Sequence, residues 1–145
     1  MKIEQILTKE ESDKIVAAIA SIESHSSAEV RVHIESTCNG DPLVRAIKVF
    51  SNLKMQNTAD RNGVLVYVAV KSKKCAIVGD AGINKVVERD FWDTCTEKMV
   101  SCFKENNYCK GITTALVMAS SKLSKHFPHA LDDINELSDE ISFGK

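Results

Sequence analysis

Four aspartates, Asp60, Asp80, Asp90 and Asp93, fall beside segments that read as strand or helix ends. Asp60 sits in the loop Asn57-Thr58-Ala59-Asp60-Arg61-Asn62-Gly63, and Asp80 in Gly79-Asp80-Ala81-Gly82. Gathered at one place, their carboxylates would repel one another unless a cation or a proton intervened. Calcium accepts about six to eight hard oxygens in flexible geometry, whereas magnesium keeps more water. The expected metal ligands are therefore Asp60, Asp80, Asp90 and Asp93, with Asn62 and loop carbonyls between them. The other reading is that each Asp caps a turn or a helix.

Other motifs fail on spacing. Asp60-Arg61-Asn62-Gly63 resembles the start of an EF-hand loop, but Ala69 falls where a bidentate Glu is required. Between Cys38 and Arg45 there is one residue too many for a cysteine phosphatase loop, and Asp41-Pro42 starts a helix inside it. Gly79-Asp80-Ala81-Gly82 lacks the third glycine of a dinucleotide fingerprint and the Lys-Ser/Thr of a P-loop. His126-Phe127-Pro128-His129 reads as a surface turn. Lys71, Lys73 and Lys74 read as a solvated hairpin tip. Ser/His/Asp and Cys/His combinations show no local signature.

The elements that would position the aspartates follow from periodicity. Thr8-Lys9-Glu10-Glu11 has the form of a capping box, and Ile15, Val16, Ile19 and Ile22 recur at helical spacing to about Ser24. Glu29 to Glu35 alternates, with Val30, Val32 and Ile34 on one side. Glu29, Arg31, His33 and Glu35 on the other predict a solvent-facing side near a sheet edge. Asp41-Pro42 opens a second helix with Leu43, Ile47, Phe50 and Leu53 inward, ending near Gln56. Val64 to Val70 is continuously apolar and predicts a central strand. A four-residue turn returns it antiparallel through Cys75-Ala76-Ile77-Val78. Pairing Val70 with Cys75 sets Asp80 beside Leu65.

A short helical turn is expected over Ile83 to Val87. A helix follows from about Asp90 to Lys104, with Phe91, Cys95, Met99, Cys102 and Phe103 inward. A last helix runs from Cys109 to His126, and Pro128 prevents its continuation. The order α-β-α-β-β-α-α predicts an α/β fold, a three-layer α/β/α sandwich with a small mixed sheet. Its first and central strands run parallel through a right-handed crossover. The start of the first strand, the start of the central strand and the end of the return strand then share one rim. Asp60 and Asp80 lie there, and Asp90 and Asp93 can fold back toward it.

Composition narrows the function classes. The chain has 145 residues, 43% apolar and 27% charged, which suits one domain with a real core. Its 20 acidic and 19 basic side chains leave no surplus for an extended nucleic-acid face. No apolar run nears the ~20 residues that span a bilayer, and the N-terminus turns charged at Lys9 before a signal core forms. Five cysteines, an odd number with no C-x-x-C pair, read as buried thiols in a reducing, cytoplasmic compartment. The near-neutral total is uneven. Residues 129–145 hold five acids and one Lys, so the domain is read as 1–128 and the rest as an acidic C-terminal tail. Spaced apolar residues in that tail (Leu137, Ile141, Phe143) make it either a solubilising segment or a protein-partner motif.

Asn62-Gly63-Val64-Leu65-Val66-Tyr67-Val68-Ala69, followed by Val78-Gly79-Asp80-Ala81-Gly82-Ile83, resembles the TPM domain. Ala28-Glu29-Val30-Arg31-Val32 looks like that family's opening strand. Phe103-Lys104-Glu105-Asn106-Asn107-Tyr108 with Gly111-Ile112 is similar to its aromatic-turn-glycine stretch. The likeness runs from about Ile6 to His126. It implies the three-layer fold and divalent-cation binding, calcium in particular, at acidic loop residues. It also implies, as an alternative, the metal-assisted acid phosphatase activity attributed to plant thylakoid-lumen members. Asp60 matches the family's Asp before Asn-Gly, though Arg61 is inserted here. Asp80 stands where many relatives carry Arg, and Asp90 or Asp93 matches the acidic residue after the short helix.

Overall fold

The computed structural model describes residues 6–88, 90–128 and 141–144. In chain order the elements are α1 (Lys9–His25), β1 (Glu29–Glu35), α2 (Pro42–Asn52), β2 (Gly63–Ala69), β3 (Lys74–Gly79), α3 (Ala81–Asn84), α4 (Phe91–Lys104), α5 (Tyr108–His126) and β4 (Ser142–Phe143). The sheet order is β3-β2-β1-β4. β1 is parallel to both β2 and β4, and β3 returns antiparallel to β2. Helices flank this open mixed sheet, an α/β fold.

Local chemistry sets the helix ends. The Thr8 hydroxyl accepts from Glu11 N at 3.1 Å while Glu11 Oε1 accepts from Thr8 N at 2.9 Å, a complete capping box. Asp41 caps α2 by accepting from Leu43 N, with Pro42 at the first helical position. Asn107 caps α5 by accepting from Lys110 N.

Alternation along the strands divides the interior into two cores. Val30, Val32, Ile34, Val64, Val66 and Val68 face Ile15 and Ile19 of α1, Met99 and Phe103 of α4, and Ile112 and Leu116 of α5. Leu65, Tyr67, Ala69 and Ala76 face Ala46, Val49 and Phe50 of α2, with Met55 behind them. Both faces of the sheet are covered, so β2 is buried along its whole length.

Three expectations are corrected. The charged side of β1 does not face water: Glu29, His33 and Glu35 are each buried. That side turns toward the α2 layer, and β4 covers the end of its outer edge. The buried face of α2 is Ala46, Val49 and Phe50, whereas Leu43 and Ile47 are about half exposed. Arg45 must point inward to reach Glu35, and that rotates the helix away from the Leu43–Ile47 stripe. The hairpin pairs Ala69 with Lys74 and Val68 with Cys75, two positions from the predicted register. Lys73 takes a left-handed conformation (φ 52°), and the turn closes through Lys73 N donating to Val70 O. A shift of two keeps every side chain on its face, so the core prediction survives it. Asp80 consequently lies one step past the Gly79–Val64 pair, with its amide donating to Gly63 O at 2.9 Å.

β4 was not expected, because the tail reads as acidic and polar. Most of that tail, and His129 with it, lies outside the described residues.

Candidate functional site

The expected rim forms where β1 and β2 begin and β3 ends. Glu29 pairs with Gly63 in register, and Glu29 N donates to Asn62 O. Asn62 is buried and ties the loop down: its amide donates to Thr58 Oγ1 and its side chain donates to Ser27 Oγ. Arg61, at φ 50°, takes a left-handed conformation that aims its side chain back across the rim. Its guanidinium grips Asp80 as a fork, with Nε 2.8 Å from Oδ2 and Nη2 2.9 Å from Oδ1. Asp80 Oδ1 also accepts from Ala81 N at 2.7 Å, so the same carboxylate caps α3.

Gly82 shows how tightly the loop presses on α3. A Cβ there would lie 2.1 Å from Asp60 O and 2.8 Å from Arg61 O, inside any tolerable contact. Gly82 N instead donates to Arg61 O at 2.8 Å. The start of α4 joins the rim through Trp92, whose Nε1 donates to Asn84 Oδ1 while Asn84 Nδ2 donates to Gly79 O.

The four aspartates stand in different settings. Asp80 is buried and paired. Asp60 is exposed in the adjoining loop. Asp90 occupies the N-cap position of α4 without a side-chain cap bond, and Asp93 lies in its first turn, both exposed. Among the described residues no group of three or more His, Cys, Asp or Glu side chains converges at metal-holding distance. The donors are hard oxygens, the chemistry calcium takes. The buried carboxylate already has a counter-charge, so a cation here would replace Arg61 instead of filling a gap.

A second constellation lies at the opposite end of β1 and was not anticipated. Glu35 is buried and accepts from Arg45 Nε and Nη2, both at 2.9 Å. It also accepts from the Tyr67 hydroxyl, and its Oε1 lies 3.2 Å from His33 Nε2. Burial alone would raise its pKa. The bonds from Arg45, Tyr67 and His33, with the Arg45 charge, outweigh that and hold Glu35 at about 2. Tyr67 moves upward, through burial and through donating to an ionised carboxylate. His33 moves downward because burial disfavours its charged form more than Glu35 favours it. Its ring stacks on Tyr67 at 6.1 Å, and Nδ1 meets the Ser142 hydroxyl at 3.0 Å.

Hydroxyl, imidazole and carboxylate thus stand in hydrogen-bonded series across Ser142, His33 and Glu35. No local motif could show this, because Ser142 is remote in sequence. A partial signal existed: His33 and Glu35 share one strand face, and Tyr67 is the partner of His33 in register.

The five thiols are free. Burial pushes Cys75 and Cys95 up to about 11, which leaves them protonated and inert. No helix of the described residues is long and apolar enough to cross a membrane.

The model of the TPM domain family matches residues 2–121. A search of curated proteins finds no significant match. Among solved structures, the chain is similar to the BA42 protein of the psychrophilic bacterium Bizionia argentinensis, solved by NMR. The two share 48% identity at a TM-score of 0.89, over 99% of each chain. The N-terminal domain of a P. gingivalis protein matches at TM-score 0.71 and 15% identity, over 87% of this chain and 83% of that one. The N-terminal domain of a Corynebacterium glutamicum protein matches at 0.64 and 13%, over 81% and 74%. These last two share the fold.

Proposed function

The chain belongs to the TPM domain family, and from that premise we propose that it is a divalent-cation-binding regulatory or interaction module, with calcium as its ion. The rim of Asp60, Asp80, Asp90 and Asp93 is the proposed site. The observation that carries this reading is the Arg61–Asp80 pair. A buried carboxylate at a loop rim holds a positive charge on a side chain that is itself 55% exposed. An exposed arginine is a replaceable counter-charge, since its own desolvation cost is small. Asp80 and Asp60 would hold the ion first, with Asp90 and Asp93 completing the negative field. When bound, the ion would supply the fixed positive charge that Arg61 now brings. The chain's own part is to present Asp80 from the cap of α3 and to release Arg61 toward solvent.

Calcium titration of the full chain, followed by amide shifts and by melting temperature, tests this. The expected result is shifts concentrated at residues 60–63 and 80–93. Stabilisation should approach about 2.7 kcal/mol when free calcium is a hundred times the dissociation constant. Unchanged shifts and melting temperature in millimolar calcium would sink the reading. Magnesium is the parallel titrant. Turnover of p-nitrophenyl phosphate that is lost in an Asp60→Ala/Asp80→Ala double variant would instead favour the phosphatase alternative.

A further inference from the structure

The segment Ser142-Phe143-Gly144 meets the outer edge of β1 at three points, and the outer two select a residue type. At the first, Ser142 lies opposite His33, with its hydroxyl 3.0 Å from Nδ1. Ionised Glu35 can only accept, so the neutral His33 ring carries its proton on Nε2 and offers a lone pair at Nδ1. A hydroxyl donor satisfies that lone pair; an alanine would leave it unpaired in a buried setting.

At the second point, Phe143 lies opposite Ile34 and is 36% exposed. This position is read through the backbone. At the third, Gly144 N donates to Ile34 O at 2.8 Å. A Cβ on Gly144 would lie 2.6 Å from Glu35 Oε1, 2.8 Å from Glu35 Cβ and 2.9 Å from His33 Nε2. Glu35 cannot move aside, because Arg45 and Tyr67 hold both its oxygens. Glycine alone fits.

We propose that this edge of β1 is a strand-addition site that takes an extended peptide segment of a partner protein with the pattern hydroxyl residue–any residue–glycine, and that the chain's own C-terminal segment occupies it in cis. Main-chain ladder bonds supply affinity for any extended segment, and the side chains beneath set which sequence is accepted. Here His33 selects the hydroxyl and the immobile Glu35 selects the glycine. The seated Ser142-Phe143-Gly144 shows the kind of ligand that fits. Its ladder is two residues long, short enough for displacement. A covalent tether gives the cis segment an effective concentration on the order of millimolar, so a partner must outcompete it or offer a longer strand.

The test is a peptide with the sequence of residues 140–145, Glu-Ile-Ser-Phe-Gly-Lys, titrated into the full-length chain and followed by amide shifts. The Gly144→Val variant of the full chain should release the edge. It should bind the peptide at a concentration at least tenfold lower than the wild-type chain, with shifts centred on His33, Ile34 and Glu35. A peptide carrying Gly144→Val should not bind. One carrying Ser142→Ala should bind at least fivefold more weakly. The full-length Ser142→Ala variant, a milder lesion, is run beside it as a second released form. Absence of β1 shifts in folded released chains up to millimolar peptide would overturn the proposal. So would equal binding of the Gly144→Val peptide.

Discussion

Replacing Glu35 by Gln removes one negative charge from the buried end of β1 and leaves the shape of the side chain. Its folded pKa is about 2 against an ordinary 4.5. At 1.36 kcal/mol per pKa unit, that difference corresponds to about 3 kcal/mol of stability at neutral pH. The sign follows from the direction of the shift. A depressed folded pKa stabilises fully above the unfolded value, and that contribution is lost as pH falls through 4.5 toward 2. Urea unfolding of wild type and Glu35→Gln at pH 7, 5 and 3 measures this. With a slope of about 1.5–2 kcal/mol/M, the variant midpoint should fall by about 1.5–2 M at pH 7. The gap should shrink to about half near pH 3, because wild type weakens while Gln does not titrate. A gap equal at pH 7 and pH 3 would refute the electrostatic argument and leave only packing. A gap below about 1 kcal/mol at pH 7 would show that the Arg45 and Tyr67 bonds are offset by desolvation.

Two further predictions rest on packing. Gly82→Val should destabilise by about 2–3 kcal/mol in thermal melts, since the new side chain meets loop backbone at Asp60 and Arg61. Gly40→Val, with nothing within 4 Å, should be near neutral and serves as its control. In native protein at pH 8, a thiol reagent should leave Cys75 and Cys95 unmodified, since burial holds them at about 11. Half-buried Cys102 should react before them, and denaturant should release all five.

Much of this fold was legible because local signals agreed with one another. Thr8 and Glu11, Asp41 and Pro42, and the unbroken run from Val64 each point to one element, and each is found there. The rim was legible in outline, since a strand order with one hairpin puts Asp60 and Asp80 at the same end. That Arg61 would fold back onto Asp80 was not, because the left-handed turn carrying it rests on a non-glycine residue. The Glu35 cluster was hidden for a different reason. Alternating charge along β1 is the ordinary mark of a wet face, and only tertiary pairing with Arg45, Tyr67 and Ser142 lets it be buried. The exposed Leu43 and Ile47 follow from the same cause, because Arg45 fixes the rotation of α2.

The outer side of β1 and the turn before it are tied down partly by α1, through Val30 N donating to Glu23 Oε2, and partly by segments much later in the sequence. Phe127 O accepts from Ser27 N, Leu123 O accepts from the Ser26 hydroxyl, and β4 pairs with His33 and Ile34. A ribosome delivers β1 well before these partners. Until β4 arrives, the end of β1 around His33 and Ile34 presents unpaired backbone groups, the template on which chains pair with one another. Charged residues along its α2-facing side discourage such pairing while the strand waits. The buried ionisable row of β1 thus acts twice in time, first as a guard on a nascent edge and afterwards as the anchor for the segment that closes it.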